Sequence, residues 1–219
     1  MVIQKEEIFN EVYNNYSNNL IPYLLTSILT LIVLFMVYVI VHTATFALSI
    51  FSAFIPLVDK TTLNQLHIFN LIATFIINFI TPIILVALVA VSASFKNNEN
   101  DVFAAIIKGL REMQKSDILL FIIVLSFIAS ILSFIGFFIG DILYGIILSV
   151  IVCAAMIKYS TKQNPKNILM VFDKVYKKDN ISGIVLYIRL LVEIIPYLNS
   201  IGIFLIPLGV IVLKKVKIS

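Results

Sequence analysis

The chain has 219 residues, of which 61% are hydrophobic and 13% are charged, and its formal net charge is +4. Its mean hydropathy is +1.07. A soluble domain of this length could not bury so many apolar side chains in its core, so the composition excludes an ordinary soluble domain and indicates a lipid bilayer as the surrounding medium.

Six mostly apolar stretches are candidate transmembrane helices, since a helix needs about 20 such residues to cross a bilayer. In chain order the predicted spans are Leu20 to beyond Val41, His67 to Ser94, Ile118 to Phe134, Ile142 to Ile157, Ile184 to Pro196, and Ile201 to Leu213. The predicted fold class is therefore all-α, a polytopic integral membrane protein with six transmembrane helices arranged as three hairpins.

Two features of these spans leave alternatives open. The apolar run of the first span continues over Thr43 to Val58, beyond one bilayer thickness, which fits either a long kinked helix or a helical cap outside the membrane. The fifth and sixth spans are short, so this pair either crosses the bilayer fully or forms a shallow re-entrant hairpin.

The basic residues are distributed unequally between the two sides of the predicted bundle. Fourteen of the 16 Lys and Arg residues lie in the N-terminus, the second and fourth loops and the C-terminus, whereas the opposite loops contain only Lys60. The positive-inside rule then predicts a multi-pass protein of the cell membrane with both termini in the cytoplasm. Because these cations adjoin apolar spans, nucleic acid is not an expected partner. The expected partners are the lipid bilayer and other membrane proteins or a second copy.

The first three cytoplasmic segments each contain an amphipathic stretch just before a hairpin. The apolar residues that share one helical face are Ile8, Phe9, Val12, Tyr13 and Tyr16 in the first, Phe103, Ile106, Ile107 and Leu110 in the second, and Ile168, Val171, Phe172, Val175 and Tyr176 in the third. This recurrence predicts one membrane domain over 1–219, built from three repeat units at 1–98, 99–164 and 165–219. Each unit is a cytoplasmic amphipathic helix followed by a membrane hairpin.

A polar stripe follows the second predicted span at intervals of three and four residues, which places its members on one helical face. The stripe consists of His67, Asn70, Thr74, Asn78 and Thr81. Such a face should not meet lipid, because unpaired amides in hydrocarbon cost several kcal/mol. Two interpretations are open: hydrogen bonds to a neighbouring helix, or a polar path for a substrate or ion.

Further polar and small residues in the later spans predict helix packing. The small residues Ser126, Ser130 and Ser133 of the third span and Gly145, Ser149 and Cys153 of the fourth span recur at helical spacing and predict close packing of these two spans. In the fifth span, Arg189 and Glu193 stand four residues apart and are expected to form an ion pair along the helix. We expect Arg189 to extend toward the cytoplasmic boundary.

No enzyme motif is found in the sequence. A Gly-rich phosphate loop, a His-Glu zinc motif and a nucleophile elbow are all missing, and His42 and His67 have no acidic residue nearby to complete a metal site. We therefore expect a protein that is not an enzyme, with no catalytic residue, no cofactor and no metal.

The second half of the chain, from about Asn100, resembles poorly characterised prokaryotic six-span membrane families, including Yip-like proteins and the membrane domain attached to some glycerophosphodiester phosphodiesterases. The resemblance is carried by the stretches Asn167 to Tyr176 and Ile184 to Ile195, followed by Pro196, Gly202, Pro207, Leu208, Lys214 and Lys215. It implies the six-span topology and an accessory membrane module.

A second resemblance is to the permease subunits of ATP-driven transporters. The run 103–109 has the Ala and Gly spacing of the loop that docks on their ATPase, with Phe103 where that loop has an acidic residue. Two functions are therefore expected. The first is a non-enzymatic scaffold or accessory subunit of a membrane complex, and the alternative is a transporter or permease subunit with a polar path along the second span.

Overall fold

The computed structural model describes the backbone of residues 2–53, 62–95, 101–135, 138–165, 167–195 and 198–215. Side chains are described for the same residues except 2–9, 51–53, 62–67 and Asn199. The predicted boundary between the first two repeat units, at 98 and 99, lies outside these ranges.

Helices account for nearly all of the described residues, as the all-α prediction requires. They are α1 (Val2–Asn18), α2 (Leu20–Ala53), α3 (Thr62–Ser94), α4 (Val102–Gln114), α5 (Ile118–Leu132), α6 (Ile139–Thr161), α7 (Ile168–Lys178), α8 (Asn180–Ile194) and α9 (Asn199–Lys215). A short helix followed by two longer ones thus occurs three times along the chain.

Polar side chains mark where several of these helices begin. The carboxylate of Asp101 accepts a hydrogen bond from the Ala104 backbone amide at 2.9 Å, at the start of α4. Asn167 caps α7 in the same way, through Met170 at 3.0 Å, and Asp179 separates α7 from α8 by accepting from the Ser182 amide at 3.1 Å. Each side chain pairs a backbone amide that the first helical turn leaves without a partner.

Three helices in the described part of the chain are long and apolar enough to cross a membrane: α2 over Leu20–Ile50, α3 over Ile68–Ser94, and α6 over Ile139–Thr161. The pair α4 and α5, bent by 82° at the break between them, raises this number to four if it is counted as one broken span. With 15 and 17 residues, α8 and α9 are shorter than the ~20 residues of a typical span.

The first hairpin is much longer than the other two. With 34 and 33 residues, α2 and α3 each extend over about 50 Å, whereas a hydrocarbon core is about 30 Å thick. Helix α2 continues without a break from Thr43 to Ala53, and residues 54–58 of the predicted cap or kink lie outside the described residues.

The packing of the helices is cyclic. Helices α3, α6 and α9 contact one another in all three pairs and form the centre of the bundle. The outer helices fill the positions between them: α5 packs against α3 and α6, α8 against α6 and α9, and α2 against α9 and α3.

The short helices follow the same cycle. Each of them packs against the central helix of the previous hairpin in the cycle: α4 against α3, and α7 against α6. The cycle closes where α1, at the start of the chain, packs against α9, at its end. Helix α7 also packs against α8. Each predicted unit therefore contributes one short, one outer and one central helix to equivalent positions of the bundle.

Helix α4 docks on α3 through small residues. Ala105, Gly109 and Met113 are buried in this contact, and a Cβ atom on Gly109 would lie 2.5 Å from the Cα atom of Val91. The apolar face predicted from the sequence is divided: Phe103 is 79% exposed, whereas Ile106 packs against the core. The backbones of α4 and α3 approach closely only because residue 109 has no side chain.

The Gly109→Ala substitution tests this contact. Alanine favours an isolated helix over glycine by about 1 kcal/mol, so local propensity alone would stabilise α4. We expect the opposite, a loss of about 1–3 kcal/mol in the free energy of unfolding, because the methyl group overlaps the α3 backbone. Thermal unfolding of the detergent-solubilised protein measures the effect, with the exposed Ala104→Ser substitution as control. An unchanged or raised melting temperature would contradict the close approach.

Candidate functional site: a buried polar cluster

Two charged side chains lie in the interior of the bundle. Arg189 Nη2 lies 2.6 Å from Glu193 Oε1, one turn further along α8, and both side chains are fully buried. Arg189 is the tenth residue of α8, about 14 Å from its start at Asn180. Its predicted extension to the cytoplasmic boundary is therefore wrong, because the guanidinium is too deep in the bundle and is covered by its neighbours.

Two glycines create the space for this ion pair. A Cβ atom on Gly202 of α9 would lie 2.9 Å from Glu193 Oε1 and 3.4 Å from Arg189 Nη1. On the α6 side, a Cβ atom on Gly145 would lie 2.8 Å from the Glu193 carbonyl oxygen and 2.9 Å from that of Ile194. Because Gly145 and Gly202 have no side chains, the backbones of α6 and α9 approach α8 closely beside the ion pair.

The ion pair does not use the full hydrogen-bonding capacity of Arg189. Its Nε and Nη1 atoms are buried and have no acceptor among the described residues. The three N–H groups on these two nitrogens have no acceptors in an apolar interior and carry a desolvation cost. A buried ionisable pair at this depth in a membrane bundle is a candidate functional site.

The small residues of α6 face α8, which differs from the prediction. The Ser149 hydroxyl donates to the Leu190 carbonyl at 3.1 Å, and Gly145 lies against Glu193 and Ile194. Ser126 and Ser130 of α5 are buried and bond within their own helix, whereas Ser133 bonds to α3. Helices α5 and α6 do pack against each other, with Ser133 against Gly140, but Gly145 and Ser149 contact α8 and not the serines of α5. Small residues permit close approach, but they do not specify the neighbour.

Asn78 of α3 joins three helices. Its Nδ2 group donates to Ser133 Oγ of α5 at 2.9 Å, and its backbone carbonyl accepts from the Tyr144 hydroxyl of α6 at 3.1 Å. That carbonyl lies four residues before Pro82, which lacks the N–H that would otherwise complete the helical hydrogen bond. Tyr144 therefore supplies the donor that the proline removes.

Among the described side chains of the polar stripe, Asn78 and Thr81 are partly buried, whereas Asn70 and Thr74 do not face into the protein. Asn70 and Thr74 are exposed, and the Thr74 hydroxyl donates to the Asn70 carbonyl at 2.9 Å. Thr81 is half-buried and donates to Ile77 of its own helix, while the side chain of His67 lies outside the described residues. In the described part, two members of the stripe interact with other helices through their side chains: Asn78 with Ser133 of α5, and Thr81 with Tyr144 of α6.

The cluster of Asn78, Ser133, Tyr144, Ser149, Arg189 and Glu193 connects α3, α5, α6 and α8. Sequence analysis found every member except Tyr144, which Pro82 could have indicated, because a proline inside a span requires a substitute donor for the carbonyl four residues earlier. Among the described residues, no group of three or more His, Cys, Asp or Glu side chains could hold a metal ion.

Comparison of the chain with protein-family models, with curated proteins and with solved structures gives no match. The resemblance to six-span membrane families and to permease subunits therefore stays a prediction from the residues alone.

A mutant cycle tests the ion pair. We expect Arg189→Met and Glu193→Met each to lower the free energy of unfolding by about 3–5 kcal/mol, because each leaves an uncompensated buried charge. The double variant should recover most of this loss. The exposed pair Asp173 and Lys177, also four residues apart and at 2.6 Å, is the matched control. Its Lys177→Met variant should leave the free energy of unfolding nearly unchanged, because water screens an exposed ion pair. Additive losses in the double variant would show that the two charges are not coupled.

A second cycle tests the bond between Tyr144 and Asn78. Tyr144→Phe should cost about 1–3 kcal/mol, because it leaves the buried Asn78 carbonyl without a donor. In a Pro82→Ala background the helix regains its own N–H donor, so the penalty for Tyr144→Phe should fall by at least half. Equilibrium unfolding in detergent measures both, and Tyr38→Phe on the exposed face of α2 is the control. An equal penalty in the two backgrounds would contradict the assigned role of Tyr144.

Proposed function

We propose that this protein is a six-span membrane protein of the cell membrane, with both termini in the cytoplasm, that acts as a non-enzymatic scaffold or accessory subunit of a membrane complex. The observation that carries this proposal is the length of the first hairpin, α2 and α3, compared with the other two.

The central position of α9 supports the count of six spans. Ile206, Val210 and Ile211 of α9 are buried in its contacts with α3 and α6, both of which are long enough to cross. A helix packed along the axis of two spans is expected to run through the bilayer beside them. A short span is accommodated by local thinning of the bilayer, which costs a fraction of a kcal/mol per Å.

Ion pairs between the cytoplasmic ends support the placement of the termini. Lys162 at the end of α6 lies 3.3 Å from Glu112 of α4, and Lys215 at the end of α9 lies 3.6 Å from Glu11 of α1. The ends of two central helices thus reach two of the short helices. The excess of Lys and Arg in the same segments supports a cytoplasmic location for this side.

The first hairpin supports a role in assembly. We place the cytoplasmic edge of a hydrocarbon core of about 30 Å at Leu20, where α2 begins. Phe35, about 22 Å along α2, then lies inside the core, and Phe46, about 39 Å along it, lies beyond the core. Both side chains are exposed, Phe35 by 67% and Phe46 by 63%. Lipid covers an apolar surface at the first depth, but at the second depth such a surface requires a protein partner.

Photo-crosslinking from these two positions tests the proposed function. A photoreactive phenylalanine analogue at position 46 should give a discrete protein adduct in native membranes, either with another membrane protein or with a second copy. The same analogue at position 35 should give lipid adducts only. If position 46 also gives lipid adducts only, the surface has no partner and the proposal fails.

A transporter is the second candidate, because a buried ionisable pair in a membrane bundle is typical of a substrate or ion path. Single cysteines at positions 78 and 81, in a Cys153→Ala background, test this alternative. A water-filled path would expose these cysteines to a water-soluble maleimide, whereas a dry interior would protect them. The control is the Ile72→Cys variant, whose side chain lies on the outer surface of the bundle. We expect protection at both positions. Labelling of both would favour the transporter.

A further inference from the structure

Three concave surfaces lie at equivalent places of the cyclic bundle. Each is bounded by an outer helix, the central helix of the same hairpin, and the next short helix or the residues just before it. They are a groove of about 410 Å³ between α2, α3 and α4, one of about 320 Å³ between α5, α6 and the start of α7, and one of about 270 Å³ between α8, α9 and α1. All three lie toward the proposed cytoplasmic side.

The largest of them, called the α4 groove here, is almost entirely apolar. Its walls include Leu29, Val33, Ile84, Leu88, Ile106 and Leu110. The hydroxyls of its two threonines are used within α2, since Thr26 donates to the Pro22 carbonyl and Thr30 to the Thr26 carbonyl. The volume falls within the ~300–1,000 Å³ of small-molecule sites, so the groove suits a flexible hydrocarbon chain.

The other side of α4 carries unpaired positive charge. Lys108, Arg111 and Lys115 line a second concavity of about 470 Å³. Among the described residues none of the three has an ion-pair partner, because the nearby Glu112 is paired with Lys162 and Asp117 with Lys158. Glu112 also lines this concavity, so an anion bound here would meet three cations and one carboxylate that is already paired with Lys162.

The pKa of a neighbouring lysine is consistent with a positive electrostatic potential around these cations. Lys214 lies just beyond the predicted sixth span, and burial, together with the charges of Lys108 and Lys162, lowers its pKa to about 8. The positive potential from this end of the bundle therefore extends to a lysine of another helix.

We propose that α4 holds one anionic phospholipid of the cytoplasmic leaflet, with an acyl chain in the α4 groove and its phosphate bound by Lys108 and Arg111. Helix α4 lies at the level where both parts of such a lipid are found, with Phe103 and Ile107 exposed on its lipid-facing side. The inference rests on the proposed membrane placement. A zwitterionic lipid would fill the groove but would leave the cations unpaired, and a free phosphate would leave the groove empty.

Native mass spectrometry of the detergent-purified full chain, titrated with dioleoyl phosphatidylglycerol or dioleoyl phosphatidylcholine, tests the site. We expect one phosphatidylglycerol to bind in preference to phosphatidylcholine. The Lys108→Ala/Arg111→Ala variant should bind it about tenfold or more weakly, because it removes both cations that contact the phosphate. The Lys174→Ala/Lys178→Ala variant of α7 removes the same charge and should weaken binding by less than about twofold.

Two substitutions on α2 test whether an acyl chain occupies the α4 groove. Val33→Phe narrows the groove and should displace the lipid, whereas Val39→Phe, on the same helix and outside the groove, should not. Glycerol 3-phosphate at millimolar concentration should not compete. Equal weakening by the two charge variants, equal effects of the two valine variants, or competition by glycerol 3-phosphate would each overturn the inference. Because cysteine labelling tests the membrane placement separately, these outcomes would leave the proposed function standing.

Discussion

In hydrocarbon every polar group needs a partner inside the protein, and the described structure follows from this requirement. The carbonyl that Pro82 leaves without its helical donor is paired by Tyr144 from a neighbouring helix. The buried charges of Arg189 and Glu193 pair with each other, and the buried Asp179 carboxylate accepts a hydrogen bond from the Ser182 amide. The amphipathic helices α4 and α7 begin at polar caps that pair the backbone amides of their first turns.

Small residues then determine how the helices meet. Lipid is as apolar as the side chains, so packing and interhelical hydrogen bonds hold a membrane bundle together. Gly109 brings α4 onto α3, Gly145 and Gly202 bring α6 and α9 onto the ion pair of α8, and Gly183 brings α8 onto Tyr176 of α7. The resulting cycle of contacts leaves an equivalent groove at each short helix. It also leaves α2 exposed on the outside, where a partner or lipid can reach it.

The sequence predicted the elements better than their contacts. Hydropathy located each long apolar helix and the short helices before them, because burial in lipid depends on local composition. Hydropathy could not show which neighbouring helix a face of small residues would contact. Ser149 bonds to α8 although its spacing gave no preference between α8 and α5. The predicted extension of Arg189 to the cytoplasmic boundary was wrong for a related reason. Its side chain is buried by α6 and α9, whose residues are distant from it in the sequence. Tyr144 was missed because its role arises from Pro82, 62 positions earlier.

The central claim is that three hairpins cross one bilayer from a common cytoplasmic face. Single cysteines at Lys115, Lys174 and Leu198, in a Cys153→Ala background, test it most directly with a membrane-impermeant maleimide. The account predicts that position 198, between α8 and α9, reacts in intact cells, and that positions 115 and 174 react only after permeabilisation. If position 198 reacts from the same side as position 174, or from neither side, the third hairpin does not cross and the six-span arrangement is wrong.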